Sequence, residues 1–136
     1  MILVVDASVA IAWIATDERS AYADAALEAC GSDPAVVPAL WYWEIANTLS
    51  VFERKGRLND AVRLYESLLE YIPFAAESVI DRKARGIEEL RLAKIHALTI
   101  YDAAYLATAK STNVTLATLD APLAKAAKAE QRYFSP

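Results

Sequence analysis

The sequence predicts an α/β fold, an α/β/α sandwich with a mostly parallel central sheet. Three observations carry this. Ile2-Leu3-Val4-Val5 is an unbroken aliphatic run, the pattern of a strand buried on both faces. Further short apolar runs alternate along the chain with longer amphipathic stretches, as parallel strands joined by crossover helices require. Twenty-eight of the 136 residues are alanine, the best helix former. The length suits one domain over residues 1–136, since a second would leave both cores too small.

The elements follow in order. The first strand ends at Asp6, and a helical pattern runs from Val9 to about Ile14. Thr16 and Asp17 open a second helix, about Ser20 to Cys30, with Ala23, Ala26, Leu27 and Cys30 on one face. Gly31-Ser32-Asp33-Pro34 is a turn. Ala35-Val36-Val37 is the second strand, stopped by Pro38. Trp41, Ile45, Thr48, Leu49 and Phe52 recur at spacings of three and four, so a helix runs from about Leu40 to Lys55 with Gly56 as its stop. Asn59 is the expected N-cap of a helix over about Asp60 to Glu70. Ile72 to Ala75 is a third strand whose proline suits an edge. A helix over 77–96, with a break expected near Gly86, and another over Thr99 to Ala109 lead to a fourth strand, Val114 to Thr118. A short helix from Pro122 to Ala129 and a last strand at Arg132-Tyr133-Phe134 close the pattern.

Composition excludes several functions. Apolar residues make up 56% of the chain, too many for intrinsic disorder. Three scattered glycines cannot build a phosphate-cradling loop, so a Rossmann or Walker-type nucleotide site is not expected. One cysteine and one histidine exclude an internal disulfide, a cysteine-based zinc site and a multi-histidine cage. Catalysis must therefore rest on carboxylates, hydroxyls or cations. The net charge of −4 argues against a uniformly basic nucleic-acid binder. The charge is uneven, however: residues 54–94 hold nine of the 14 basic residues. The start of the chain lacks the positive region of a leader, and the apolar stretch Val9 to Ala15 is about half a membrane span. A soluble, cytoplasmic protein is expected.

Four carboxylates stand out. Asp6 follows the carboxyl end of the first strand, where open parallel sheets bind ligands; it could also cap the next helix. Asp120 repeats that arrangement after the fourth strand, before a helix with Pro122 in its first turn. Asp102 lies three residues after Thr99, the spacing of a capping box. Its neighbours Ala103, Ala104 and Leu106 belong to a helix with few polar faces, so a cavity or a cation is the natural destination for its charge. Glu44 is an acid inside the apolar window Leu40-Trp41-Tyr42-Trp43-Glu44-Ile45. Drawn together, such carboxylates need protons or a hard cation to coexist. Mg²⁺ or Mn²⁺ suits oxygen-only ligands. Such an ion lowers the pKa of a bound water and stabilises charge on a transferring phosphoryl group.

These residues resemble a known family. Val4-Val5-Asp6-Ala7-Ser8, Glu44 in the helix after the second strand, Leu98 to Ala107 around Asp102, and Leu116-Ala117-Thr118-Leu119-Asp120 are similar, in order and spacing, to the PIN-domain ribonucleases. The nearest likeness is to the VapC-type toxins of toxin–antitoxin pairs, and it spans essentially the whole chain. The resemblance implies a PIN-like sandwich around a sheet of about five parallel strands. It implies an Mg²⁺- or Mn²⁺-dependent endoribonuclease in which Asp6, Glu44, Asp102 and Asp120 hold the metal, with Asp6 and Asp102 as the firmest ligands. Ser8 and Thr118 match polar positions beside the cluster. The resemblance also implies a homodimer and a groove for an antitoxin.

Arg54, Lys55 and Arg57 form one basic cluster, and Arg82, Lys83 and Arg85 a second. Either could meet RNA phosphates, or lie on a solvated face. His96 is expected to be structural or on the surface rather than a catalytic base, and Cys30 to be core. Trp41, Tyr42 and Trp43 cannot all enter one core from consecutive helical positions, so one or two should face a partner. Other readings stay open: a structure-specific DNA nuclease, a phosphatase with a similar acidic edge, and a non-catalytic binding module whose acids only cap helices. An aspartyl-phosphate phosphatase resembles this pattern less, because Ser8 stands where its second aspartate would be.

Overall fold

A computed structural model describes residues 1–71, 73–77 and 81–136. Four strands form one parallel sheet: β1 (Leu3–Val5), β2 (Ala35–Val37), β3 (Phe74–Ala76) and β4 (Thr115–Ala117). Their spatial order is β3-β2-β1-β4. In register, Val4 faces Val36 on one side and Leu116 on the other, and Val36 faces Ala75. Helices α1 (Ala7–Ile14) and α2 (Ala21–Cys30) connect β1 to β2. Helices α3 (Leu40–Arg54) and α4 (Ala61–Tyr71) connect β2 to β3. Helices α5 (Arg82–His96) and α6 (Ile100–Thr112) carry the chain back across the sheet to β4, and α7 (Ala121–Ala129) follows.

The order of the strands locates the site before any side chain is considered. The connection leaving β1 runs toward β2, and the one leaving β4 runs the other way, to Tyr133, which bridges Leu116 on the far side of β4. Adjacent strands whose outgoing connections diverge leave a crevice at their carboxyl ends. Asp6 follows β1 and Asp120 follows β4 at that crevice.

The core explains why the central strand is so apolar. Leu3, Val4 and Val5 are fully buried because helices cover both faces of β1. Helix α6 is buried from Ala103 through Ala109, and small alanines let it approach the sheet closely. Trp41 is fully buried and packs on Phe74 with ring centroids 4.3 Å apart. Cys30 is buried, as expected of a core residue.

Several boundaries differ from expectation. The fourth-strand partner expected at residues 132–134 is only an isolated parallel bridge at Tyr133, so the sheet has four strands rather than about five. Leu116 takes both nearby tail bonds: its N–H donates to Arg132 O, and its carbonyl accepts from Phe134 N. Thr16–Glu18 is a separate 3-10 turn, and α2 begins afresh behind Ser20, whose hydroxyl accepts from Ala23 N. Asp60 rather than Asn59 tops α4, accepting from Arg63 N, while Glu53 accepts from Ala61 N. Helix α5 starts at Arg82, behind the cap Asp81, and passes Gly86 without a break. The earlier part of the helix expected over 77–96, at 78–80, lies outside the described residues, as does Ile72 of the third strand.

Candidate active site

Asp6 is held from three directions. Its Oδ1 accepts from Val9 N at 3.1 Å, which makes it the N-cap of α1, and from the Ser8 hydroxyl at 2.6 Å. Its Oδ2 accepts from the Thr118 hydroxyl. Thr118 Oγ1 in turn accepts from Asp120 N at 3.0 Å, and Ser8 Oγ accepts from Leu119 N at 3.0 Å. Two hydroxyls therefore lace the end of β1 to the end of β4. The residue is only 5% exposed. Burial pushes its carboxyl up to about 6; the bonds from Ser8, Thr118 and Val9 pull downward, and the charge of Asp102 adds to the rise. A carboxylate that only capped a helix at the surface would not be so perturbed.

Asp102 sits in the first turn of α6. Its N–H donates to Thr99 Oγ1 at 3.1 Å, so Thr99 caps the helix as the spacing predicts. Burial raises the Asp102 carboxyl, the charge of Asp120 raises it further, and Thr99 opposes both. Glu44, on α3, is half-buried, and its Oε1 accepts from the Tyr105 hydroxyl at 2.7 Å. Burial raises Glu44; the Tyr105 bond lowers it, and Asp102 raises it again. Asp120 caps α7, accepting from Leu123 N at 3.0 Å. Asp102 thus lies in the electrostatic reach of all three other acids.

The donor set fits a hard divalent cation. Every candidate ligand is a carboxylate oxygen, and three of the four are destabilised as anions by burial and by one another. Among the described residues, no three acid, histidine or cysteine side chains are gathered into a ready-made cage. Mg²⁺ does not ask for one, since it usually keeps several waters and takes only one or two carboxylates directly.

Tyr105 was invisible in the sequence. It lies 61 residues from Glu44 and is fully buried, with its hydroxyl pushed above the usual phenol range by burial and by the adjacent Glu44 charge. Glu77 was equally silent. Just after β3, it binds Arg85 of α5 and accepts from the Thr108 and Ser111 hydroxyls of α6.

That pairing bears on the basic clusters. The Arg85 side chain is 10% exposed and closed on Glu77, so it ties α5 to the sheet edge. Arg57 pairs with Asp17 at 2.7 Å and Glu18 at 2.6 Å, and stacks on the Phe52 ring. Arg54 donates to Ser50 at 3.2 Å, and Lys55, Arg82 and Lys83 are exposed. His96 meets Glu130 at 2.8 Å.

A family model described as PIN domain matches residues 3–129. The chain belongs to the PIN-domain family. This PIN domain is also 35% identical over 127 residues to ribonuclease VapC3 of Pyrobaculum aerophilum, an alignment covering 92% of the present chain and 94% of that protein. The four-stranded parallel sheet flanked by helices is the α/β/α sandwich expected of a PIN domain. No helix among the described residues is long and apolar enough to cross a membrane.

Proposed function

We propose that this PIN domain, acting as one unit over residues 1–136, is an Mg²⁺- or Mn²⁺-dependent endoribonuclease and the toxin of a VapC-type toxin–antitoxin pair. The observation that carries this reading is the position of Asp102 within reach of Asp6, Glu44 and Asp120 at the crevice between β1 and β4. The likeness to a protein named ribonuclease VapC3 supports the choice of RNA over DNA or a phosphomonoester.

Asp6 and Asp102 would hold the cation directly, with Glu44 and Asp120 assisting directly or through water. When bound, the cation supplies an acidified water and offsets charge on the phosphate. The chain's own part is positioning. Ser8, Thr118 and Val9 N fix both oxygens of Asp6, and Tyr105 fixes Glu44. Buried carboxylates with raised pKa values also form sites that a cation relieves, so cation uptake and proton release are coupled there.

Partners follow from exposed apolar surface. Val62 and Leu69 of α4 are exposed, and a cleft of about 320 Å³ between α3 and α4 is lined by Leu49, Ala61 and Tyr65. Such a groove suits an apolar segment of an antitoxin. Ile87, Leu90 and Ile95 expose a second face on α5, and we assign it to a homodimer in the cytoplasm.

The test is cleavage of a fluorescent RNA panel by wild type and Asp6→Asn, purified identically, in Mn²⁺, Mg²⁺ or EDTA. Cleavage that needs both the cation and Asp6 is the expected result. Equal cleavage by both proteins, or cleavage in EDTA, overturns the reading.

A further inference from the structure

A second cleft is lined by the chain neighbours of Glu44 and Asp102. It measures about 370 Å³, and Trp43, Tyr101, Arg82, Glu89, Pro38 and Ala104 are among the residues that line it. Trp43 immediately precedes Glu44 on α3, and Tyr101 immediately precedes Asp102 on α6. The cleft is therefore built on the same helical turns that carry Glu44 and Asp102.

Its two aromatic rings are unusually bare. Trp43 is 74% exposed and Tyr101 65% exposed, while Trp41, two residues earlier, is fully buried. Arg82 is exposed, and no described residue forms an ion pair with it. Glu89 is half-buried, and the structure gives its carboxylate no hydrogen-bond partner among the described residues. Arg85, the cation whose charge Glu89 feels most, is already closed on Glu77. An unpaired cation, an unpaired acceptor and two free ring faces thus line one cavity.

These features suit one ligand chemistry. A ring face stacks any nucleobase, and stacking contributes about 1–3 kcal/mol per base. A guanidinium takes a phosphate. A carboxylate is an acceptor only, so it selects a base edge that presents donors. Guanine presents two adjacent donors, N1–H and N2–H, to a carboxylate's two oxygens; the Watson–Crick edges of adenine, cytosine and uracil each present a single donor group. A chain of net charge −4 gains little from general attraction to RNA, so local stacking and a single cation must supply the affinity.

We propose that this cleft is a nucleoside subsite, in which Trp43 and Tyr101 stack a base flanking the cleaved phosphodiester, Arg82 binds a neighbouring phosphate, and Glu89 selects guanine. The subsite rests on the nuclease reading above and deepens it.

Three fluorescein-labelled hexanucleotides test it: oligouridine, the same with one guanine, and the same with inosine, which lacks the N2 amine. Anisotropy in EDTA reads affinity, and cleavage in Mg²⁺ reads relative kcat/KM, for wild type, Trp43→Ala and Glu89→Gln. Wild type should favour the guanine oligomer by about tenfold and lose most of that preference with inosine. Glu89→Gln should erase the preference while leaving oligouridine unchanged. Trp43→Ala should weaken all three by about tenfold. Cleavage by wild type with no base preference, or variants that match wild type, overturns the subsite and leaves the nuclease standing. Neither binding nor cleavage by wild type overturns both. A Trp43→Ala particle of half the wild-type mass would place Trp43 between two copies of the chain, and the subsite falls.

Discussion

Thr118 donates its hydroxyl proton to Oδ2 of Asp6, across 112 residues of chain, and accepts the N–H of Asp120 on the same oxygen. One hydroxyl therefore positions one candidate ligand through its side chain and a second through its backbone. Thr118→Val keeps the volume and removes both bonds. Leaving a buried acceptor and a part-buried N–H without their partner costs roughly 1–3 kcal/mol. Urea denaturation should show that loss, and RNA cleavage should fall with it; unchanged stability would mean that the two strand ends are held by other contacts.

The raised pKa of Asp6 gives a pH dependence of defined sign. Its folded value of about 6 lies above the ordinary carboxyl value of 3.8, so between these the folded protein holds a proton that the unfolded chain releases. The associated stability is complete below about 3.8 and is lost as pH rises through about 6. Its full size is about 3 kcal/mol at one pKa unit per 1.36 kcal/mol. Asp6→Asn keeps a competent cap and has no charge to bury. In EDTA, wild type should therefore weaken relative to Asp6→Asn from pH 4 to 7, as followed by denaturant midpoints at each pH. Parallel curves would show that burial of the charge at Asp6 is not a cost to the fold.

Tyr105→Phe removes the only hydroxyl that the described residues offer Glu44. Burial then raises Glu44 unopposed by that bond. Groups that orient a metal ligand typically contribute 10- to 100-fold to affinity or activity. The expected outcome is about a tenfold loss of Mn²⁺ affinity, read by calorimetry, with about 1 kcal/mol of stability lost. Wild-type Mn²⁺ affinity in the variant would separate Glu44 from the cation.

Glu77 and Arg85 form a buried pair, with side chains 8% and 10% exposed. Removing one partner strands the other, at a cost of roughly 3 kcal/mol. Burial alone would raise Glu77, but the bonds from Arg85, Ser111 and Thr108 outweigh it and hold its carboxyl below the ordinary value. Its stability contribution is therefore present above the unfolded pKa and lost as pH falls through the folded one. Arg85→Ala should unfold at lower urea than wild type at pH 7, with the gap closing in acid. A gap that persisted below the folded pKa of Glu77 would assign the loss to packing of the arginine stem instead.

What could be read from the sequence was what is local. Asp6 and Asp120 follow apolar runs and precede helical ones, so their place at strand ends is written within a few residues of each. Thr99 and Asp102 carry their capping geometry in their spacing. Where the structure departs from expectation, the deciding partner often lies beyond the neighbouring residues. Asp60 replaces Asn59 as the cap of α4, and Glu53, eight residues upstream of Ala61, takes the next free N–H. Arg85 looks like part of a basic cluster with Arg82 and Lys83 until Glu77 and α6 are folded against it. Tyr105 reads as one more core aromatic because nothing near it in sequence announces Glu44. The strand expected at 132–134 fails for the same reason, since pairing at Leu116 extends to Tyr133 alone.

The order of the strands also sets when the acids can come together. β1 is made before β2 and β3, yet its sheet neighbour β4 is made after both. Until residues 115–118 emerge, Asp6 has neither its Thr118 donor nor Asp120 beside it. Parallel pairing between distant segments is slow to form. A nascent chain still short of residue 118 thus carries a first strand with an unfinished site, and on the nuclease reading proposed above it is harmless to the messenger and ribosome producing it until that point.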